Sequence, residues 1–192
     1  VSLASGQNGR YTFSGTAGEY LGLGVTGFTT SPANQSVYLQ VLKPDGTSLT
    51  SCGFSASNSC NLPVLPTTGT YTLYVDPSGG TSATLQVLLS HPVQGTLTAD
   101  GSTTPFATSR VGQDGRYTFS ATAASSVTLT FSGRTFTDVY ARIYNPSGSV
   151  IWQSWVASTS TTANLTNLVA GTYVVALDPY QAATGQVSMT LK

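Results

Sequence analysis

The chain has 192 residues, and only 7% of them are charged, with seven basic side chains balancing seven acidic ones. That is roughly a quarter of the usual charged share, so neither a phosphate-neutralising surface nor a nucleic-acid partner is expected. No apolar run approaches the ~18 residues of a membrane helix, and no basic and then apolar leader stands at Val1, so membrane insertion is not expected.

One sequence occurs twice in nearly the same form. Residues 6–17 read GQNGRYTFSGTA, and residues 112–123 read GQDGRYTFSATA. The segments VYLQVLKPDG and GTYTLYVD of the first half are likewise matched by VYARIYNPSG and GTYVVALD in the second half. We therefore predict two copies of one domain, residues 1–90 and residues 91–192, with the boundary near Ser90-His91-Pro92.

The matched segments have the pattern of β-strands. In GTYTLYVD, for instance, Tyr71, Leu73 and Val75 occupy alternate positions and therefore one face of a strand. Asn8-Gly9 and Asp114-Gly115 predict tight turns with a positive φ at glycine. About eight short strands per copy, separated by turns and without a helical pattern, predict an all-β fold of two tandem antiparallel β-sandwich domains that are jelly-roll-like.

The beginning of the first copy is shorter than that of the second. Ahead of its repeated segment the second copy has two predicted strands, residues 95–99 and residues 104–110, whereas the first copy has only VSLAS. The first copy therefore lacks its opening strand, and its sheet is predicted to expose an unpaired edge. Such an edge favours head-to-tail contact with a neighbouring domain, or a segment that covers it.

The two cysteines, Cys52 and Cys60, stand close together in the stretch SCGFSASNSC. This stretch lacks the paired histidines or the second cysteine pair of a zinc site, so a disulfide is predicted. Closing so short a loop is expected to stabilise the first copy by about 2 to 3 kcal/mol, and it implies an oxidising compartment. Two reduced, buried cysteines are the alternative. The second copy has Ser154 and Thr162 at the matching positions.

The hairpin VYARIYNPSGSVIWQSW of the second copy carries a group of aromatic residues. If a short loop closes it, Ile143 faces Ile151 and Arg142 faces Trp152. The isoleucines then point to the core, Trp152 points outward, and Trp155 has the opposite parity and is expected in the core. The predicted ligand-binding residues of this outward platform are Trp152, Tyr140, Arg142 and Tyr144. The alternative is that this face packs against the neighbouring copy or lies under a loop.

No group of residues predicts catalysis, a metal site or a bound cofactor. The single histidine, His91, precedes a proline in the predicted linker, which does not suit a Ser/His/Asp relay. Most acidic residues are expected in turns rather than as a pair across one sugar. A calcium site that uses Asp100 and Asp138 is a weaker alternative.

Three segments of the second copy, GRYTFSATA, TDVYARIYNPSGSVIWQS and LVAGTYVVALD, resemble the bacterial pre-peptidase C-terminal domain. The pattern of that family has a YTF-type strand, a DxYLYDPxG-type hairpin and a GTYxxxV-type strand. The resemblance covers nearly the whole chain twice. It implies a non-catalytic β-sandwich attached to a larger exported protein, as in the tandem copies of large secreted or Rhs-type surface proteins. The acid that opens the hairpin pattern is Asp138 in the second copy but Ser36 in the first, which weakens any calcium site that the family implies.

The sequence thus predicts a non-catalytic accessory region of an exported bacterial protein, located outside the cell or on its surface. Its expected ligand is a polysaccharide or another cell-surface glycan. The alternative from another class is a structural spacer, or a self-associating surface or filament repeat. Part of a secreted hydrolase, without an active site of its own, is a third interpretation.

Overall fold

A computed structural model describes residues 1–192 and contains seventeen β-strands and no helix. The chain therefore has no helix that is long and apolar enough to cross a membrane. The strands form two compact units, which we call unit 1 (Val1–His91) and unit 2 (Pro92–Lys192). The boundary between the units lies between His91 and Pro92, one residue later than the predicted boundary between Ser90 and His91. The predicted all-β class is confirmed.

Unit 1 is built from eight strands. In chain order they are β1 (Ser2–Leu3), β2 (Gly9–Gly15), β3 (Gly22–Ser31), β4 (Val37–Leu42), β5 (Ser48–Phe54), β6 (Asn58–Asn61), β7 (Gly69–Pro77) and β8 (Ser82–Ser90). One sheet has the order β1-β8-β3-β6 and the other has the order β2-β7-β4-β5, with antiparallel pairing throughout. Strand β2 therefore forms an edge of its sheet, as the short beginning of the first copy predicts.

Unit 2 repeats this arrangement with one additional strand. Its strands are β9 (Val93–Thr96), β10 (Thr103–Ala107), β11 (Gly115–Ala121), β12 (Ser125–Ser132), β13 (Val139–Tyr144), β14 (Val150–Trp155), β15 (Ser160–Leu168), β16 (Gly171–Pro179) and β17 (Gln186–Leu191). The sheets have the orders β10-β17-β12-β15 and β14-β13-β16-β11-β9. Only β9 pairs in parallel, with β11, and β9 has no counterpart in unit 1.

Each unit has its own hydrophobic core, formed by the residues at alternate positions of the strands. Tyr71 and Val75 of β7 are buried, as the alternation predicts. Tyr71 stacks on Phe13 with ring centroids 5.4 Å apart, and in unit 2 Tyr173 stacks on Phe119 at 5.0 Å. Because each buried ring contributes about 1.5–3 kcal/mol, these repeated pairs explain why the tyrosine and phenylalanine positions recur in both copies.

The predicted glycine turns at Asn8-Gly9 and Asp114-Gly115 are wrong. Gly9 and Gly115 begin strands β2 and β11, and the positive φ values lie earlier, at Gly6 (77°) and Gly112 (76°). Position 115 favours glycine for a different reason, because a Cβ there would lie 3.0 Å from the ring of Phe106. Close packing against an aromatic ring, rather than backbone conformation, therefore explains this glycine.

The predicted disulfide is confirmed, since Cys52 and Cys60 are bonded and no free cysteine remains. Cys52 lies on β5 and Cys60 lies on β6, which belong to different sheets. Both side chains pack against the core of unit 1. The bond therefore joins the two sheets of unit 1 across its core.

Replacing Cys60 by serine is expected to destabilise unit 1 by about 2 to 3 kcal/mol, because the denatured chain loses a closed loop. Thermal unfolding of the wild type and of Cys60→Ser, each followed by circular dichroism, measures the loss. Thr162→Ser, at the matching position of unit 2, is the control and should leave the unfolding curve almost unchanged. Two free thiols in the folded wild-type protein would contradict the bond itself.

Candidate functional site

The hairpin of β13 and β14 has a register that differs from the predicted one. Ile143 pairs with Trp152, and Tyr144 pairs with Val150, so that Ile151 is an extra residue in a β-bulge. The predicted pairing of Ile143 with Ile151 is therefore wrong. Because side chains alternate between the two faces of a strand, the bulge turns each residue from Trp152 onward to the face opposite to the predicted one.

Trp152 lies on the core face of β14, not on the outward face as predicted. Its indole packs against the core of unit 2 and stacks on Phe131, with ring centroids 5.8 Å apart and an angle of 13° between the planes. Ile151, predicted to be buried, is 41% exposed. Two predictions are thus corrected: Trp152 is not the centre of an outward platform, and Trp155 is not a core residue.

Trp155 is the outward-facing indole of the hairpin, and half of its surface is exposed. It pairs with Tyr140 across the strands, and the two rings meet at 65° with centroids 4.9 Å apart. Tyr180, which follows β16, also meets the indole edge to face, at 5.4 Å and 89°. These are favourable geometries for aromatic pairs. We call Trp155, Tyr140, Tyr180 and the neighbouring Arg142 the aromatic cluster.

Two charged groups lie at the aromatic cluster. The guanidinium carbon of Arg142 lies 4.6 Å from the ring centroid of Tyr140, which is within the range of a cation–π contact. The Nη1 atom of Arg142 lies 3.8 Å from Oδ2 of Asp178, and both side chains are about one-third exposed. The cluster therefore presents a half-exposed indole, flanked by two tyrosine rings at steep angles to it, beside a hydrogen-bond donor and a hydrogen-bond acceptor.

Asp114, the residue before β11, has a strongly raised pKa. Burial, and then the negative charge of Asp178, raise its pKa from 3.8 to about 8, although Arg116 and Arg142 act in the opposite direction. Asp114 is therefore largely protonated at neutral pH.

Unit 1 lacks this constellation at the matching positions. Tyr38 pairs with Gly53 just as Tyr140 pairs with Trp155. The ring of Tyr38 lies over Gly53, 3.1 Å from the position that a Cβ on this glycine would occupy. Tyr38 is 53% exposed. The other unit 1 residues at positions of the cluster are Gln40 and Ser78. The chain thus contains a natural control for the cluster within the same fold.

Two of the four cluster residues, Tyr140 and Arg142, are predicted from the sequence, whereas Trp155 and Tyr180 are not. Tyr144, the remaining predicted residue, lies opposite Val150 at the loop end of β13 and is not part of the cluster. The signal that could have placed Trp155 is the disulfide. Cys52 faces the core, because it bonds to a cysteine of the other sheet. Ser154 stands at the matching position of unit 2 and is therefore expected to face the core as well, so that the next residue, Trp155, faces outward.

The residues weighed for catalysis or metal binding have other contacts. Nδ1 of His91 lies 3.3 Å from the Glu19 carboxylate. Asp138 forms an ion pair with Arg134 at 2.8 Å, and Asp100 accepts a hydrogen bond from the backbone N–H of Ser102. The structure contains no group of three or more histidine, cysteine, aspartate or glutamate side chains that could hold a metal ion.

Comparison with known proteins gives similarity at the level of structure. No protein-family model matches the sequence, and no curated protein matches it significantly. Among solved structures, the pre-peptidase C-terminal domain of a collagenase from Bacillus anthracis is 14% identical over 53% of this chain and 95% of that chain, with a TM-score of 0.44. The chain is similar to a pre-peptidase C-terminal domain. This is the family that the sequence segments resemble.

Two further solved structures are similar to this chain. A periplasmic inhibitor of g-type lysozyme from Aeromonas hydrophila is 10% identical over 53% of this chain and 99% of that chain, with a TM-score of 0.36. The PBSX exported protein XepA is 9% identical over 100% of this chain and 84% of that chain, with a TM-score of 0.35. At these identities no activity or ligand transfers from those proteins to this chain.

Proposed function

We propose that the chain is a non-catalytic accessory region of an exported bacterial protein, and that unit 2 binds a polysaccharide or another cell-surface glycan through the aromatic cluster. The observation that carries this proposal is the half-exposed indole of Trp155, held against two tyrosine rings on an outward sheet face. Clustered apolar surface of this kind marks interaction sites on otherwise polar proteins.

The chemistry of the cluster suits a sugar. The apolar face of a sugar ring packs on a flat indole, and its hydroxyl groups both donate and accept hydrogen bonds. Next to Trp155 the guanidinium of Arg142 can donate and the carboxylate of Asp178 can accept, with 3.8 Å between the two groups. A few placed polar groups beside an aromatic surface are typical of small-molecule sites.

The remaining features support an exported, non-catalytic role. The disulfide between Cys52 and Cys60 favours an oxidising compartment, which supports a location outside the cell or on its surface. The single histidine, His91, contacts the Glu19 carboxylate, but its side chain is 72% exposed, whereas the histidine of a catalytic relay is held between an acid and a nucleophile.

A structural spacer is the second candidate function. The sandwich occurs in both units, whereas the aromatic cluster occurs only in unit 2. This difference favours a role that depends on the fold alone. A spacer needs only the fold, and it predicts that altering the cluster has no effect on retention by a glycan.

Replacing Trp155 by alanine tests the proposed function. A glycan array first identifies a bound polysaccharide, and affinity electrophoresis in that polysaccharide then compares variants. Trp155→Ala should weaken binding about tenfold or more, since one stacked ring contributes on the order of 1 to 2 kcal/mol. Tyr38→Ala removes the exposed ring of unit 1 and is the control, which should bind like the wild type. Equal binding by both variants, or no glycan bound at all, would contradict the proposal.

A further inference from the structure

The five-stranded sheet of unit 2 carries a row of side chains next to the aromatic cluster. Arg142 of β13 pairs with Gln153 of β14 on one side and with Ala176 of β16 on the other. Ala176 also pairs with Arg116 of β11, which pairs with Gln94 of β9. We call these five residues the arginine row. The row crosses all five strands, a distance of about 19 Å at ~4.8 Å between neighbouring strands.

The arginine row lies on the outward face of the sheet. Val175, next to Ala176, and Tyr117, next to Arg116, are buried in the core of unit 2. Because side chains alternate between the two faces of a strand, Ala176 and Arg116 point away from the core. The glutamines at the two ends of the row are exposed. The row therefore shares its face of the sheet with the exposed indole of the aromatic cluster.

The two arginines stand on either side of the smallest side chain of the row. Arg142 and Arg116 are both direct neighbours of Ala176, so their Cα atoms are two strand spacings, or about 10 Å, apart. The methyl group of alanine fills little of the space between two long side chains. The row therefore has a trough at Ala176, with a cation on each side.

Unit 1 has a different residue at the centre of the matching row. Tyr74 stands at the position of Ala176, between Gln40 and Arg10. The guanidinium carbon of Arg10 lies 5.6 Å from the centroid of the Tyr74 ring, so one arginine packs on a ring that occupies this space. Gln40 replaces the other arginine. Two arginines around an open centre are thus a feature of unit 2 and not of the shared fold.

The charges near the trough favour an anion. Both guanidiniums are protonated at every pH at which the protein is folded. Two acids, Asp178 and Asp114, interact with them, but burial and the charge of Asp178 raise the pKa of Asp114 to about 8, so Asp114 is largely protonated at neutral pH. Of these two acids only Asp178 can therefore offset the two cations. A guanidinium has five N–H donors, so Arg142 can contact Asp178 and still donate to a ligand.

We propose that the arginine row extends the glycan site of the aromatic cluster across the sheet and selects polysaccharides that carry carboxylate groups. This role rests on the proposed function, since Trp155 lies diagonally across the hairpin from Arg142 and a sugar on the indole brings its neighbours to the row. Carboxylates of uronic acid units then accept hydrogen bonds from Arg142 and Arg116, whose planar guanidiniums match the carboxylate geometry. Gln153 and Gln94 offer donors and acceptors to sugar hydroxyl groups.

Matched polysaccharides test this selection on the intact chain. The probes are polygalacturonate, alginate and hyaluronan, each compared with its methyl ester, in which the same sugars carry no charge. Affinity electrophoresis at pH 7, with mobilities referred to a gel without polysaccharide, measures the affinity. At least one acidic polymer should bind about tenfold or more tightly than its ester, the loss expected for one charge-assisted hydrogen bond. General attraction to polyanions does not produce this difference, because the formal net charge of the chain is zero.

Two variants show whether the arginine row is responsible. Arg116→Gln removes one cation, and Ala176→Tyr fills the trough with the side chain that unit 1 has there. Each should weaken binding of the acidic polymer about tenfold or more, and urea unfolding followed by tryptophan fluorescence checks that unit 2 is folded. Arg10→Gln, at the matching position of unit 1, has the same change of charge and should bind like the wild type.

The outcomes separate this proposal from the proposed function. Equal binding of an acidic polymer and its ester overturns the selection, and so does an Arg116→Gln variant that binds like Arg10→Gln. If neutral polysaccharides retain the protein and Trp155→Ala abolishes their binding, the proposed function stands and only the selection of acidic chains is wrong. If no polysaccharide, acidic or neutral, retains the protein, both proposals fail.

Discussion

Asp114→Asn is expected to stabilise unit 2 above pH 8 and to remove most of its pH dependence. The carboxyl of Asp114 has its pKa raised from 3.8 to about 8 by burial and by the charge of Asp178. Asparagine has a similar shape and no charge, so it avoids the cost of ionising this site. Unit 1 already has asparagine at the matching position, Asn8. When its amide nitrogen is turned toward Asp76, Asn8 donates a hydrogen bond to that carboxylate at 3.0 Å.

The sign of the effect follows from proton linkage. Between pH 4 and pH 8 the folded state holds a proton on Asp114 that the unfolded state has released, so wild-type stability falls as the pH rises. The loss is complete above the folded-state pKa. At 1.36 kcal/mol per pKa unit, it is on the order of 5 kcal/mol for unit 2.

Fluorescence provides a measurement that is specific to unit 2, because both tryptophans of the chain lie in it. Urea unfolding at pH 5, 7 and 9 should give a falling midpoint for the wild type and a nearly constant one for Asp114→Asn. Asn8→Asp is the matched control for unit 1, followed by circular dichroism. Asn8 is exposed, so burial adds little cost there, and any fall of the unit 1 midpoint with pH measures the repulsion between the new carboxylate and Asp76. A wild-type midpoint that rises from pH 5 to pH 9 would contradict the assignment.

Most of the fold could be predicted from the repeated segments of the sequence. Two copies of the same alternating segments define strands such as β7 and β16, with Tyr71 and Tyr173 buried at the same place. The strand β9 at the edge of unit 2 could also be predicted in part, because the segment before GQDGRYTF contains a strand pattern. Comparison of two copies within one chain supplied the information in the first case.

The position of the aromatic cluster could not be predicted in the same way. A β-bulge at Ile151 changes the parity of everything after it, and alternation alone does not reveal an extra residue. Tyr180 was missed because it follows β16, and only the fold brings it to Trp155. The disulfide at Cys52 contained the missing constraint on parity, but its use required knowing that the bond joins the two sheets.

Trp152→Ala is expected to destabilise unit 2 by about 3 kcal/mol, the lower end of the range for truncating a core tryptophan, because the indole is only partly buried. The loss comes from its stacking on Phe131 and from the cavity that remains at the core. Trp155→Ala should cost less than about 1 kcal/mol, since half of that side chain is already in water.

Each of the two variants leaves one tryptophan as the reporter of unit 2, so urea unfolding followed by fluorescence measures both losses with the same probe. Thr50→Ala, at the position of unit 1 that matches Trp152, is the control, and it should leave the unfolding of unit 2 unchanged. Because the bulge alone decides which indole faces the core, the ratio of the two losses tests the register of β14 directly. A larger loss for Trp155→Ala than for Trp152→Ala would mean that Ile151 is not bulged out. In that case Trp152, not Trp155, would be the exposed indole that a glycan contacts.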